Sequence, residues 1–584
     1  MSGSLIRIGL LSGCLLFASC GGGGGGGNTN ATGSSSAPSA TVPGAPTGLV
    51  GTVGDGTATL SFVAPSSDGG AAISGYTGTC AAGSSSRSAT GAASPITING
   101  LSNGTSYTCS VVASNRVGSG TSSASVTVTP LGASASGDFP GNIVLGAPTS
   151  NSIRLKLYSA EQSGSVIVSY RAEGDNSDRQ TAQLSLTRGV VLDVELSGLK
   201  AGAAYRYRVL LKPTVGAEIQ SREFRFQTAR APGITFSFTI QADSHLDENS
   251  DLDIYKKTLA NILADQGDFH IDLGDTFMTE KHSEPLSAVV SQPTSKATLD
   301  ARYVYERGNF GLFSHSIPLF LVNGNHDAEL GWLADGTQQN IAVWASKARL
   351  EYFPIPQPGN FYSGDSFVDP NAGNRVAWYS WAWGDAQIIV LDPFWNTKQR
   401  ANSDPWNFTL GEKQYQWLTE TLASSTAKFK IIFIHNLVGG LDGAMRGGVE
   451  AAPYYEWGGK NLDGTSGFAS RRPGWALPIH DLLVKYKVAA VFHGHDHLYA
   501  KQELDGIVYQ TVPQPSARNF NSGATLAKDY HYDTGTILSS SGHLRITVTP
   551  QLMTARYIRS WLPKDENASR RNGQVEHEWS VSRP

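Results

Sequence analysis

The 584-residue sequence predicts two β-sandwiches followed by a larger α/β domain. Three observations lead there. The length exceeds what one hydrophobic core supports. Residues 44–130 and 139–230 carry short alternating apolar runs broken by Gly, Ser and Asn turns, without helical periodicity. All 13 His and all 12 Trp lie beyond residue 240, where apolar strand-like runs alternate with helix-like segments. The 45 Lys+Arg against 49 Asp+Glu give a net charge of -4, so no nucleic-acid-binding patch is expected.

Residues 1–20 read as an export signal. Arg7 supplies the positive start, and the apolar stretch from Ile8 to Phe17 is too short for a stable membrane span. The segment ends Phe17-Ala18-Ser19-Cys20, which resembles a bacterial lipoprotein lipobox with Phe where Leu is usual. Cleavage there leaves Cys20 as the lipid-modified N-terminus, and the alternative is ordinary secretion with a free cysteine. The expectation is a lipid-anchored protein of the bacterial cell envelope, at the outer membrane or cell surface, with a periplasmic or secreted protein as the other outcome. Residues 21–43 are Gly, Ser, Thr, Asn and Pro with almost nothing apolar, so they form a flexible tether.

In 44–130, Pro46 and Leu49 open the segment, Leu60-Ser61-Phe62 takes the second-strand position, and Ile73 with Tyr76 takes the third. Leu101 followed six residues later by Tyr107 matches a tyrosine corner. These features resemble a fibronectin type III module, with Phe62 where that family usually has Trp. The resemblance places Cys80 and Cys109 on neighbouring strands and implies a disulfide, in keeping with an oxidising compartment. Residues 139–230 repeat the corner spacing at Leu199 and Tyr205 and end in the alternating Phe224-Arg225-Phe226-Gln227-Thr228. This resembles the sandwich that precedes the catalytic domain of purple acid phosphatases.

The α/β domain is expected over 233–560, with 561–584 as a C-terminal tail. Its apolar runs at 234–240, 317–322, 387–391, 429–434 and 488–492 alternate with helical patterns near 253–265, 411–424 and 477–486. Metal-ligating residue types recur where β runs end. They are Asp243-Ser244-His245, Gly274-Asp275, Gly324-Asn325-His326-Asp327, His435 and Gly494-His495-Asp496-His497. A D-x-H pair on extended backbone puts carboxylate and imidazole on one side. Each piece alone has an ordinary structural explanation: a lone strand-end His is commonly hydrogen-bonded, and Gly-Asp turns are frequent. Five in this order, each after an apolar run, point to a metal site.

The ordered set DxH, GD, GNHD, H, GHxH resembles the calcineurin-like metallophosphoesterase superfamily over residues 235–550, which implies a four-layer α/β domain. The resemblance implies one ion on Asp243, His245 and His497, a second on Asn325, His435 and His495, and Asp275 bridging both. It gives His326 the catalytic role at the leaving group, with Asp327 orienting that imidazole. Four imidazoles, one amide and two carboxylates around two divalent ions leave about two net positive charges, suited to a phosphate oxyanion. The mixed N/O donors favour Mn, Fe or Zn over Mg or Ca. Met278 stands where purple acid phosphatases carry their tyrosinate ligand, so an Fe(III)-tyrosinate site is not expected. The GDxxDRG motif of protein phosphatases is absent at 274–280.

The implied activity is hydrolysis of phosphate monoesters by metal-hydroxide attack, in an acid-phosphatase-like manner. Phosphodiesterase or nucleotide pyrophosphatase is the alternative. A surface adhesion protein with an inactive catalytic domain, making carbohydrate contacts through its fibronectin-like module, is the alternative of another class. The segment 436–476 is a long Gly-, Trp- and Arg-rich loop, and its Arg446, Arg471 and Arg472 are candidate substrate contacts or packing residues. The Trp-rich insertion at 328–385 carries the same two readings.

Overall fold

The computed structural model describes residues 39–583 except 55, 103–104, 129, 131–137, 248, 280–294, 400–403 and 441–445. The expected export signal with Cys20 and the expected tether through residue 38 lie outside the described residues. The chain divides into two compact units, residues 1–132 and 133–584.

In the first unit, Thr47–Gly54, Thr57–Val63 and Ile96–Asn99 form one sheet, and Ile73–Ala82 and Tyr107–Asn115 lead a five-stranded second one. Tyr107–Asn115 alternates strictly between buried and more exposed side chains, as a strand with one wet face must. The inward residues, among them Leu60, Phe62, Ile98 and Val111, fill the core between the sheets. Cys80 and Cys109 stand opposite each other on adjacent antiparallel strands and are joined by a disulfide. The Tyr107 hydroxyl accepts the Ser102 amide at 2.9 Å, which is the expected corner.

The second unit opens with a sandwich whose strands run from Asn142–Gly146 to Phe224–Gln227. Its corner is also formed: the Tyr205 hydroxyl accepts the Lys200 amide at 2.8 Å. The sandwich packs on the helical side of the catalytic domain. Lys156 donates to the carbonyls of Leu350 and Glu351 at 2.6 and 2.9 Å, and the Tyr207 hydroxyl donates to the His315 carbonyl at 2.6 Å.

Two sheets form the centre of the catalytic domain. In the six-stranded sheet, Leu319–Leu321, His270–Asp272 and Phe236–Gln241 run parallel, followed by Gly542–Val548, Leu552–Arg559 and Val575–Ser582. In the eight-stranded sheet, Ala386–Val390, Phe429–Phe433, Ala490–His493 and Ile507–Thr511 are parallel neighbours. Residues 561–584, expected as a tail, instead supply the sixth strand, which pairs along Leu552–Arg559 and buries Trp579.

The strands are apolar on both faces, and alternate residues go to different cores. Phe320, Ile388, Ile431 and Phe492 fill the space between the sheets. Leu319 and Leu321 face outward to the helices Leu252–Asp265, Lys296–Ser314 and Ile341–Tyr352. Ile389, Ile432 and Val491 face the helices Glu412–Ser424 and Ile479–Lys485. The result is the four-layer order helix, sheet, sheet, helix. In the 328–385 insertion, Trp381 and Trp383 belong to the intersheet core, so for them packing is the answer.

Candidate metal centre

The five motif segments leave the C-terminal ends of three parallel strands of one sheet and two of the other. Neighbouring strands end level: His270 pairs with Thr239 and Leu319, and Phe433 pairs with Phe492. Each chain then turns sharply, and backbone bonds tie turn to turn. The Asp243 amide donates to the Gly274 carbonyl at 2.9 Å, His245 to Asp275 at 3.1 Å, and Gly494 to His435 at 2.8 Å.

Five of the expected ligands hold left-handed backbone: Asp243 (φ 61°), His245 (52°), Asp275 (55°), His495 (76°) and His497 (57°). Non-glycine residues in this region cost energy and persist where surrounding structure fixes them, commonly at functional sites. The extended D-x-H geometry expected from sequence is therefore replaced by a tight turn, which still brings His245 Nε2 to 3.7 Å from Asp243 Oδ1. The motif glycines allow the turns to touch. A Cβ at Gly324 would overlap the Asp275 amide nitrogen, and one at Gly494 would lie 2.6 Å from Asp243 Oδ2.

The side chains converge into two groups, each able to hold a metal ion: Asp243, His245 and His497, and Asp275, His435 and His495. Asp275 Oδ2 lies between the groups, 3.3 Å from His245 Nε2 and 3.2 Å from His435 Nε2. Asn325 Oδ1 is 3.1 Å from His435 Nε2, and His497 Nε2 is 3.0 Å from His245 Nε2. The imidazoles are held from behind. His435 Nδ1 donates to the Leu273 carbonyl at 2.7 Å, and His245 Nδ1 faces Asp247 Oδ2 at 3.4 Å, so both present Nε2 to the site.

The residues fit an ion pair on chemical grounds. Imidazole, carboxylate and amide donors without thiolate suit divalent transition metals. The buried carboxylates also demand positive charge. Burial alone would lower His435, yet Asp275 and Asp243 outweigh it and raise it to about 9. At His245 burial is likewise outweighed, by hydrogen bonds to Asp243, Asp247 and Asp275.

His326 is half-buried at the rim, its ring 5.3 Å from that of His245, and its amide donates to Asp275 Oδ1 at 2.6 Å. Asp327 does not have the expected role. Its Oδ2 accepts the amides of Asp275 and Gly324 at 3.0 and 2.8 Å, and its Oδ1 those of Thr276 and Phe277, both at 2.9 Å. Four donors fill the four lone-pair positions of a carboxylate. Asp327 is thus the brace of the Asp275 turn rather than the orienter of the His326 ring.

Of the three candidate arginines, Arg446 reaches the site. Its Nε is 3.0 Å from Asp496 Oδ1, its Nη2 is 2.7 Å from His495 Nε2, and its guanidinium lies over the Tyr530 ring. Arg471 pairs with Asp404 at 2.7 Å. Arg472 binds Glu456 and the Trp406 carbonyl, each at 2.5 Å. The last two pack the 436–476 segment, which also contains the short helices Gly448–Ala451, Tyr455–Gly458 and Phe468–Arg471. The sequence reading missed Asp247, two residues beyond His245, and Tyr532, whose hydroxyl donates to Asp496 Oδ2 at 2.6 Å. Extending the D-x-H motif to D-x-H-x-D would have found the first; the second has no local signal. Met278 packs in the apolar cluster beneath the helices.

The sequence model described as calcineurin-like phosphoesterase matches residues 236–499 of this chain, and that of the fibronectin type III domain matches residues 44–129. Residues 236–499 form a calcineurin-like phosphoesterase domain. The chain is similar in fold to PhoD, at a TM-score of 0.57 and 16% identity over 77% of this chain and 91% of that one. A purple acid phosphatase, PPD1 from yellow lupin (Lupinus luteus) seeds, aligns at a TM-score of 0.52 and 13% identity, over 92% of this chain and 96% of the other. No curated protein matches the chain. The protein is a metal-dependent phosphoesterase, and two groups of its side chains could each hold an ion.

Proposed function

We propose that the phosphoesterase hydrolyses phosphate monoesters, with Asp243, His245 and His497 holding one ion, Asn325, His435 and His495 the other, and Asp275 shared. The observation that carries this reading is the position of Asp275 Oδ2, at 3.3 and 3.2 Å from one imidazole of each group. Bound ions, Mn, Fe or Zn by donor type, would supply the Lewis acidity that makes water a nucleophile near neutral pH. The chain's own groups do the rest. His326, at the rim, gives a proton to the departing ester oxygen. Arg446 offers its guanidinium to the phosphoryl oxygens that face away from the ions, held in place by Asp496. Asp327 keeps the Asp275 turn closed.

The test is turnover of a nitrophenyl phosphate monoester and the corresponding diester by the full chain, metal-stripped and then reloaded with Mn, Fe or Zn. The monoester is expected to be preferred, and His326→Ala to lower kcat about 10²- to 10⁴-fold while two ions per chain remain bound. A strong preference for the diester would replace the monoesterase reading. Export with a lipid on Cys20 is the second part of the proposal, supported by the Arg7–Phe17 segment and by the Cys80–Cys109 disulfide. Cys20→Ala is expected to move the protein from the membrane fraction to the soluble one. Membrane association unchanged by that substitution would sink it.

A further inference from the structure

Apart from the metal centre, the catalytic domain contains a cavity of about 160 Å³ between the 365–378 segment and residues 395–414. Its walls include the rings of Phe367, Trp378 and Trp395, and its polar groups include Asp365, Asn396 and Lys413. Cavity size limits the occupant: an engineered apolar cavity of roughly 150 Å³ takes benzene, so one six-membered ring fits here.

The polar groups say more about the occupant. Asp365 is only 5% exposed; its Oδ1 accepts the Phe367 amide at 3.1 Å, while among the described residues its Oδ2 accepts one hydrogen bond, from the Ala377 amide at a long 3.5 Å. A buried carboxylate oxygen so poorly paired is costly unless something completes its hydrogen bonds. Arg375 also lines the cavity, but its charge is met by Glu329 at 2.7 Å and Asp392 at 3.2 Å. Asp365 and Lys413 then cancel, so the lining as a whole is close to neutral. A cationic ligand is disfavoured further, because Arg375 stands 3.9 Å over Trp395 and Lys413 4.4 Å over Phe367, on the ring faces a cation would seek.

Aromatic walls, a carboxylate short of donors, an ammonium and an amide in a near-neutral, ring-sized space suit a hydroxyl-rich ring. Its C–H groups meet aromatic edges, because Arg375 and Lys413 already lie over faces of Trp395 and Phe367, while its hydroxyls donate to Asp365 and accept from Lys413. Phe367, 46% exposed at the mouth, is an aromatic left partly in water for such a contact. We infer that this cavity is a saccharide subsite that takes a single neutral sugar ring.

The test uses the full chain with glucose, galactose and N-acetylglucosamine, read by saturation-transfer NMR and by tryptophan fluorescence. Saturation transfer to the ring protons of at least one sugar is expected. Binding should weaken at least ten-fold in Phe367→Ala and in Asp365→Asn, while phosphoester turnover measured without sugar stays unchanged in Phe367→Ala. Three results would each overturn the inference: no transfer to any of the sugars, binding equally strong in both variants (a sugar held elsewhere on the chain), or saturation of the site by tetramethylammonium instead of sugar.

Discussion

Asp327 accepts four backbone amides, so Asp327→Asn would turn an NH2 group toward two N–H donors that have no other acceptor nearby. The Asp275 turn would open, and with it the position of the shared carboxylate. We expect kcat to fall about 10- to 100-fold together with ion retention after dialysis, the usual scale for groups that hold metal ligands. Full ion retention with lost turnover would return Asp327 to the imidazole-orienting role. Gly324→Ala is expected to act the same way and more severely, because its Cβ would overlap the Asp275 amide. Metal content at wild-type level in that variant would contradict it. The side chains of this site were legible in the sequence because DxH, GD, GNHD and GHxH are short and ordered. The backbone they use was not. Left-handed turns usually announce themselves by glycine, but here Asp243, Asp275 and His497 must keep side chains, so the strain leaves no compositional trace.

At the scale of elements, the parallel strands and the helices at 252–265, 412–424 and 479–485 followed from unbroken periodicity. Lys296–Ser314 did not, for a physical reason: Arg302, Glu306 and Arg307 lie on its buried face, and Gly308 and Gly311 interrupt it. A helix that buries charge reads as polar loop. Its buried arginines reach backbone carbonyls. Arg302 donates to the Met278 carbonyl just beyond Asp275, and Arg307 to the carbonyls of Tyr352 and Lys156. The last strand, Val575–Ser582, alternates regularly, but its inward positions include His577 and only Trp579 is deeply buried, so no apolar run marks it. His315, the C-cap of Lys296–Ser314, joins this helix to the second sandwich through Phe224, 4.6 Å ring to ring. Burial, with help from the Arg222 charge, holds it down at about 4. An unfolded histidine titrates near 6.5, so the unfolded chain binds the extra proton between these values. Stability from this site is complete above about pH 6.5 and falls as pH drops toward 4, by up to about 3 kcal/mol. Urea unfolding at pH 7 and pH 5 should show a smaller acid loss in His315→Gln than in wild type. Equal losses would remove His315 from the account.

At the scale of the whole molecule, residues 1–132 and 133–584 are separate compact units, and every metal-centre residue belongs to the second. The only disulfide among the described residues belongs to the first, and no cysteine follows Cys109 anywhere in the sequence. Redox-linked stability is therefore confined to the fibronectin type III module. Its bridge spans 29 residues, for which loop-closure entropy in the unfolded chain corresponds to about 3–4 kcal/mol. A module of this size has total stability of the same order, roughly 5–10 kcal/mol. Cys80→Ala/Cys109→Ala should thus bring the module close to unfolding at 37 °C while the catalytic unit, with cores of its own, melts at its usual temperature. Calorimetry of the full chain should resolve this as one transition moved down and one unmoved, with kcat and ion content unchanged. If kcat falls with the first transition, the phosphoesterase depends on the module, and the two units act as one.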